Sequence, residues 1–367
     1  MPLKTVSGKH ADPRKGRGAG INPEGRFETV AREAFDDGWD RQEEELPPLK
    51  THVTVERVSS IISRNDSPDV PFTQSINPYQ GCEVGCVYCY ARPTHAYRNL
   101  SPGIDWETRL FAKVNAAEKL REELSRPGYR CEVISIGANT DPYQPIEREH
   151  RITRGILEVC AEFNQPVGIV TKNAMVERDL DLIVPMAEKN LVNVFISLNN
   201  LDHELARRLE PRCSAPARRL QAMKKLSDAG VPVGVLCAPV IPFLTDHQIE
   251  PVLEAAWAHG ARQAGYVLMR LPWEVKDLFK DWLERHYPLK AKHVMSRVHA
   301  MRGGRDNDPS FGSRMKGEGE LARLLSQRFR QACERLGYNA GSRNRELDTT
   351  RFRRPERSGQ LSLFGEG

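Results

Sequence analysis

Strand-length apolar runs alternate with amphipathic helical patterns through the middle of the chain. Five runs rich in Val and Ile lie at residues 132–137, 167–171, 192–198, 231–240 and 264–271, and a further predicted strand lies at 74–78. Between them apolar residues recur at helical spacing. Alternating β/α units predict a parallel α/β sheet, and six such units favour a partial (β/α)6 barrel of the TIM type over the full eight-unit barrel.

Three cysteines lie within eight residues, directly after the first predicted strand of this series. Cys82, Cys86 and Cys89 have the spacing C-x3-C-x2-C. Thiolates at this spacing on one loop can bind three irons of a four-iron, four-sulfur cluster and leave the fourth iron without a protein ligand. Structural zinc usually takes four ligands in two separated pairs, and no second such pair follows, so zinc is the weaker alternative. The spacing predicts a cluster with one open iron.

Several motifs in this region resemble one group of enzymes. The cysteine motif, ending in an aromatic residue, is similar to the signature of radical S-adenosylmethionine (SAM) enzymes. Further motifs resemble the group related to spore photoproduct lyase, which repairs DNA: Tyr88-Cys89-Tyr90, Thr140-Asp141-Pro142-Tyr143-Gln144-Pro145, Val170-Thr171-Lys172-Asn173 and Glu210-Pro211-Arg212. The resemblance covers about residues 70 to 272. It implies a [4Fe–4S] cluster held by Cys82, Cys86 and Cys89, bound SAM, and a 5′-deoxyadenosyl radical derived from SAM.

The resemblance also implies roles for polar side chains at the predicted strand ends. Contacts to SAM are implied for Thr140, Lys172, Ser197, Glu210 and Arg212. A guanidinium fork suits a carboxylate, so Arg212 is the candidate for the carboxylate of SAM and Glu210 for the ribose hydroxyls. The alternative for each residue is a structural polar group or a surface ion pair.

Two tyrosines and one missing thiol bear on the substrate. Tyr88 and Tyr90 flank the last cysteine, as two tyrosines do in the spore photoproduct lyase group, and are the candidate catalytic residues for radical relay. That group carries a hydrogen-donating cysteine shortly before the position of Thr140, whereas this chain has Gly137-Ala138-Asn139 there. Reversal of a thymine dimer by the same route is therefore not expected.

Basic charge is concentrated at the two ends of the chain. Residues 1–26 carry a net charge of +4 and residues 301–367 carry +5, while the whole chain carries +5. Basic ends suit the phosphate backbone of nucleic acid, with DNA favoured, although solvated tails are the alternative. Near the C-terminus Gln360, Leu361, Leu363 and Phe364 resemble the short peptide by which bacterial replication and repair proteins dock on the sliding clamp.

These features predict five regions and one main function. The regions are a disordered basic arm (1–26), an N-terminal extension (27–70), the radical SAM core (71–272), a helical C-terminal extension (273–340) with helices at 281–301 and 319–336, and a flexible tail (341–367). The longest apolar stretch, 231–244, is too short to span a bilayer and is interrupted by three prolines, so a cytoplasmic protein is expected. The resemblance to radical SAM enzymes implies an external electron donor. The predicted activity is lyase-like DNA repair. The alternatives are a radical SAM enzyme acting on RNA or protein, or a non-catalytic metal-binding protein that binds nucleic acid.

Overall fold

The protein is an α/β structure in which six of the strands are those predicted from the sequence. A computed structural model describes residues 16–27, 49–340 and 346–355. The strands are β1 (His52–Glu56), β2 (Ile62–Arg64), β3 (Gln74–Ile76), β4 (Tyr79–Gln80), β5 (Arg109–Lys113), β6 (Ile134–Ile136), β7 (Val167–Thr171), β8 (Val192–Ser197), β9 (Val233–Val240) and β10 (Gln263–Leu268). The α-helices are α1 (Asp105–Thr108), α2 (Ala116–Ser125), α3 (Glu147–His150), α4 (Ile152–Phe163), α5 (Leu180–Glu188), α6 (His203–Leu209), α7 (Pro216–Asp228), α8 (Ile249–Ala258), α9 (Val275–His286), α10 (Pro288–Ala300), α11 (Ser313–Lys316) and α12 (Gly319–Leu336).

The main sheet has seven strands in the order β10-β9-β8-β7-β6-β3-β2. All neighbouring pairs run parallel except β2 and β3, which pair antiparallel at one edge. Within the described residues β2 and β10 do not pair with each other, so the barrel stays open. The predicted arrangement of six parallel strands in a partial barrel is confirmed. The carboxyl ends of these six strands lie at one edge, called the mouth below, where such folds place their ligand sites.

A smaller sheet of three strands was not anticipated from the sequence. Its order is β1-β5-β4, with β1 parallel and β4 antiparallel to β5. β1 alternates polar and apolar residues, but the three strands have only two to five residues each, and so short a pattern does not show which strands pair. The small sheet flanks the start of the cysteine loop, since Tyr79 and Gln80 of β4 directly precede it.

Two apolar cores stabilise the structure. The larger one lies between the main sheet and its covering helices, and α4 contributes Ile156, Leu157 and Cys160, which are fully buried. The smaller one joins the cysteine loop to α6, α9 and α10. Within it the Trp282 indole is fully buried and donates a hydrogen bond to the Arg208 carbonyl at 3.0 Å. The C-terminal helices therefore support the loop that carries the cysteines.

One predicted helix is wrong as a single element. The segment 281–301 belongs to two helices, α9 and α10, which meet at Tyr287. Tyr287 has φ −142° and ψ 53°, outside the helical region. The cause is Pro288, because a proline ring disfavours helical backbone in the residue before it. The helix predicted at 319–336 is found at those bounds as α12.

Both ends of the chain contain segments that bind to the core. Residues 16–26 belong to the arm that was predicted to be disordered, yet Arg17 and Ala19 are buried. In the predicted flexible tail, residues 346–355 also contact the core, where the Phe352 ring lies 5.4 Å from that of Tyr129. Each segment is held by a few anchoring residues and has no periodic apolar pattern. Its polar composition alone therefore predicts disorder. Residues 1–15 and the predicted clamp motif, Gln360 to Phe364, lie outside the described residues.

None of the helices in the described ranges is both long and apolar enough to cross a bilayer. The expected cytoplasmic location stays a prediction.

Candidate active site

The three cysteines lie on a tightly packed loop that follows β4 at the mouth. Gly85, between the first two cysteines, has φ +73°, a conformation that favours glycine. A Cβ atom at Gly85 would lie 2.7 Å from a carboxylate oxygen of Glu107. A larger residue at position 85 would therefore collide with the buried Glu107 carboxylate, which lies directly against the loop.

Two of the three thiols on this loop, those of Cys82 and Cys86, are buried, and that of Cys89 is half-buried. Cys82 and Cys86 are each 8% exposed, and all three cysteines are free. Burial raises the pKa of both Cys82 and Cys86, and the neighbouring Cys89 raises each pKa further. Two backbone turns keep the three cysteines together, since the Gly85 N–H donates to the Cys82 carbonyl at 3.4 Å and the Cys89 N–H donates to the Cys86 carbonyl at 3.2 Å.

The donor set fits an iron–sulfur cluster better than a single metal ion. Within residues 16–27, 49–340 and 346–355, no group of three or more His, Cys, Asp or Glu side chains is arranged to hold one metal ion. A four-iron cluster binds each thiolate through a different iron, so its ligands need not converge on one point. Three thiolates on one loop therefore meet the needs of the cluster, whereas structural zinc would need a fourth ligand at the same point.

A fully buried ion pair supports the cysteine loop from behind. The side chains of Arg92 and Glu107 pair with each other and are both 0% exposed. The Arg92 Nε donates to the Cys86 carbonyl at 2.8 Å, and its Nη1 donates to the Gly103 carbonyl at 2.8 Å. Because the charges are paired and hydrogen-bonded, the pair can remain buried and fix the backbone at the second cysteine.

Residues 16–27, called the N-terminal strap, lie directly on the other side of Glu107. The backbone N–H groups of Gly18 and Ala19 each donate to the Glu107 carboxylate at 2.9 Å. A Cβ atom on Gly18 would lie 1.8 Å from the Gly85 carbonyl oxygen, so only glycine permits this approach. The N-terminal strap is thus part of the support of the cysteine loop, and sequence reasoning missed it.

The motif at 140–145 joins the cysteine loop to the neighbouring strand ends. Gln144 is fully buried, accepts from the Glu83 N–H at 2.8 Å and donates to the Gly81 carbonyl at 3.3 Å. Asp141 accepts from the Lys172 N–H at 2.8 Å. The loop after β6 therefore holds both the cysteine loop and the end of β7. Gln144 was part of the quoted motif but was not identified as a site residue.

Three predicted SAM contacts lie at the mouth, at the ends of adjacent strands. Thr140 follows β6, Lys172 follows β7 and Ser197 ends β8. Thr140 and Ser197 are each 4% exposed. Burial acts to lower the pKa of Lys172, but the Cys86 thiolate and the Glu210 carboxylate outweigh it, so the pKa is raised. The Lys172 ammonium therefore lies close to a cluster ligand and to a second predicted SAM contact.

Glu210 and Arg212 have different surroundings although only one residue separates them. The Glu210 carboxylate is 2% exposed and accepts from the Tyr88 hydroxyl and the Arg219 guanidinium. Arg212 pairs with Glu83 and donates from Nε to the Gly16 carbonyl at 3.3 Å. Glu210 thus faces the interior beside Lys172, whereas Arg212 lies against the N-terminal strap and already has a carboxylate.

The two tyrosines that flank Cys89 also differ. Tyr88 is 6% exposed and its hydroxyl is bound to Glu210. Tyr90 is 46% exposed, and its hydroxyl donates to the Ala138 carbonyl in the loop after β6. Tyr90 therefore lies in the open mouth, next to the segment where the expected thiol is missing.

The geometry and the family comparison agree. Residues 76–256 match the family described as the Radical SAM superfamily. That span contains the three cysteines and the strand ends at 140, 172 and 197. Residues 76–256 therefore form a radical SAM domain, and this superfamily implies a [4Fe–4S] cluster and SAM as cofactors.

Individual proteins are similar to this chain over much of its length. An uncharacterized protein of Mycobacterium tuberculosis is 38% identical over 221 residues, covering 60% of this chain and 65% of that protein, just under two thirds of its length. An uncharacterized protein of Methanocaldococcus jannaschii is 27% identical over 223 residues, covering 61% of this chain and 80% of that protein.

Solved structures of spore photoproduct lyase share the fold. The lyase complexed with dinucleoside spore photoproduct is similar with a TM-score of 0.58 and 17% identity, covering 78% of this chain and 80% of that chain. A variant of that lyase with bound AdoMet has a TM-score of 0.54 at 18% identity. At these identities the likeness shows a common architecture.

Proposed function

We propose that the protein is a radical SAM enzyme that acts on nucleic acid, with DNA the favoured substrate and lyase-type repair chemistry the favoured reaction. The observation that carries the proposal is one short loop that holds three cysteines, two of them buried, inside a radical SAM domain. The choice of DNA is supported by the fold shared with a lyase that was crystallised with a dinucleoside, and by the basic charge at the chain ends.

Different residues at the mouth would bind the cluster and SAM. Cys82, Cys86 and Cys89 would hold the cluster, while Thr140, Lys172, Ser197 and Glu210 would contact SAM. Glu210 and Arg212 are the weaker candidates among the predicted SAM contacts, because Arg219 already pairs with Glu210 and Glu83 already pairs with Arg212. When bound, the cluster and SAM supply the one-electron cleavage that yields a 5′-deoxyadenosyl radical.

The protein positions and shields this chemistry through the groups that fix the cysteine loop. Arg92 holds the Cys86 carbonyl and Gln144 holds the backbone at Gly81 and Glu83. Lys172 remains charged and offsets the negative charge of the thiolates. Preorganised charges of this kind do not have to reorient when charge moves during the reaction.

Tyr90 is the favoured relay residue of the two tyrosines. A phenol O–H can give its hydrogen atom to a carbon radical, leaving a tyrosyl oxygen radical behind. Tyr90 is partly exposed beside Ala138, whereas Tyr88 is buried and its hydroxyl is bound to Glu210. Since no thiol is present at residues 137–139, we propose that the hydrogen donor differs from that of spore photoproduct lyase.

A first experiment tests the cofactor chemistry. Anaerobically reconstituted protein should contain about four iron and four sulfide per chain, and it should form 5′-deoxyadenosine from SAM with dithionite as reductant. Cys86→Ala should lose the cluster absorbance, while the control Cys131→Ala, a half-buried cysteine outside the loop, should retain it. Bound zinc, or bound iron without SAM cleavage, would favour the non-catalytic metal-binding alternative.

A second experiment tests the substrate. Oligodeoxynucleotides with defined photolesions, undamaged DNA, RNA and a peptide library would each be incubated with the reconstituted enzyme and SAM, and products identified by mass spectrometry. We expect product with damaged DNA. Product with RNA or peptide alone would support the alternative radical SAM activity and remove the repair assignment. Recruitment by a sliding clamp through Gln360 to Phe364 is a separate proposal, tested below.

A further inference from the structure

Arg270 lies at the mouth on a fixed segment, two residues after the end of β10. The fully buried Arg302 donates to the carbonyls of Leu268 and Met269 at 3.3 and 2.7 Å. These two carbonyls directly precede Arg270. The Arg302 guanidinium therefore fixes the backbone that carries the Arg270 side chain.

The guanidinium of Arg270 has few protein contacts. In the described part of the chain its buried Nε has no hydrogen-bond acceptor. Its Nη1 contacts the Met315 sulfur at 3.5 Å, and thioether sulfur is a weak acceptor. Buried nitrogen atoms of a guanidinium group are normally hydrogen-bonded. The unpaired Nε of Arg270 therefore indicates that this side chain can bind an anion.

The charge around Arg270 is positive. Burial and the neighbouring Arg314 lower the pKa of Arg270, while Asp69 acts in the opposite direction. That carboxylate is already engaged, since it accepts from the Arg314 guanidinium and from the Gly312 N–H at 2.7 Å. A net positive potential remains at Arg270, which favours an anionic ligand.

Two aromatic rings lie against the two arginines of this region, one ring beside each arginine. The Arg270 guanidinium is 5.3 Å from the ring centre of Tyr90, which follows Cys89 in the sequence. The ring of Phe311, which is 60% exposed, has its centre 4.5 Å from the guanidinium of the neighbouring Arg314. Exposed aromatic rings next to arginine are typical of surfaces that stack nucleic-acid bases.

We propose that Arg270 binds a phosphate of a nucleic-acid substrate, with the rings of Tyr90 and Phe311 available to the adjoining bases. This inference rests on the proposed function and specifies how the substrate would be held. The carboxylate of SAM also offers anionic oxygens to a guanidinium, so it is the alternative ligand of Arg270. Phosphate is favoured, because the Tyr90 ring beside Arg270 and the exposed Phe311 ring beside Arg314 are groups that suit nucleic-acid bases rather than SAM.

The test measures binding by the anaerobically reconstituted full-length protein to a fluorescein-labelled twelve-residue oligothymidylate. Fluorescence anisotropy at a series of KCl concentrations gives both the affinity and its salt dependence. Arg270→Gln should weaken binding about tenfold, and it should reduce the slope of log affinity against log salt by about 0.7, the value for one phosphate on a single strand. The matched control Arg323→Gln, an exposed arginine on α12, should leave both unchanged.

The outcomes separate this inference from the proposed function. If the wild type binds the oligonucleotide and Arg270→Gln binds with the same affinity and slope, Arg270 is not a phosphate-binding residue. If SAM binding measured by equilibrium dialysis falls while oligonucleotide binding is unchanged, Arg270 serves the SAM carboxylate and the inference is overturned. If the wild type cleaves SAM but does not bind the oligonucleotide, the nucleic-acid assignment fails as well.

Discussion

Replacing Glu107 with glutamine should destabilise the protein far more than an ordinary charge-neutralising substitution. Its carboxylate is fully buried, pairs with Arg92 and accepts two N–H groups of the N-terminal strap. In Glu107→Gln the Arg92 guanidinium stays buried without a counter-charge, and the amide NH2 replaces one acceptor with a donor. Removing one member of a buried pair costs roughly 3–5 kcal/mol, a large part of the 5–15 kcal/mol typical of a folded protein.

Thermal unfolding followed by circular dichroism checks this expectation. For a chain of this size, roughly 2 °C per kcal/mol predicts a fall of roughly 6–10 °C in the transition midpoint. The matched control is Glu118→Gln, which removes the carboxylate of an exposed ion pair with Arg57. The Arg57 side chain is 66% exposed and the Glu118 side chain 52%. Exposed pairs contribute up to about 1 kcal/mol. Equal midpoints for the two variants would refute the claim that the buried pair supports the fold.

Three further predictions follow from single residues. Gly18→Ala should displace the N-terminal strap, since its Cβ would meet the Gly85 carbonyl at 1.8 Å; limited trypsin digestion should then cleave this segment faster, while Gly128→Ala, with nothing within 4 Å, should not change the rate. Burial lowers the pKa of His95 to about 4, so the unfolded chain gains a proton near pH 6.5 before the folded protein does, and stability falls with decreasing pH across this window by about 3 kcal/mol; urea unfolding at pH 7 and 4.5 should show a smaller fall in His95→Gln, and an equal fall would exclude His95 as the cause. Phe364→Ala should weaken binding to a bacterial sliding clamp roughly tenfold or more, measured by isothermal titration against a scrambled-tail control, and an unchanged affinity would remove the clamp proposal.

The fold was predictable where strands are buried on both faces. Buried parallel strands such as Val167–Thr171 must be rich in Val and Ile, and that composition is visible without the structure. Short edge elements such as β2 and β4 have too few residues to establish a period. The break at Tyr287 was missed because the apolar periodicity continues across Pro288, although the proline itself carried the signal.

The site was predictable where its residues are close in sequence. The spacing of Cys82, Cys86 and Cys89 defines a cluster-binding loop because all three ligands lie on one segment. The supports of that loop come from far away, since the Gly18 contact to Glu107 joins residues 89 positions apart. No periodicity or spacing rule links such positions, so a single sequence does not reveal them. Likewise, the sequence could not show that Glu210 faces Lys172 while Arg212 faces Glu83.

The N-terminal strap has a practical consequence for work with fragments of this protein. A fragment cut to the matched span, 76–256, would keep Glu107 and Arg92 but lose the two N–H groups that satisfy the carboxylate. It would also lose α9 and α10 and so uncover the apolar underside of the cysteine loop. The smallest unit that can be expected to fold is therefore considerably larger than the matched span, and an expression tag is better kept away from Gly16.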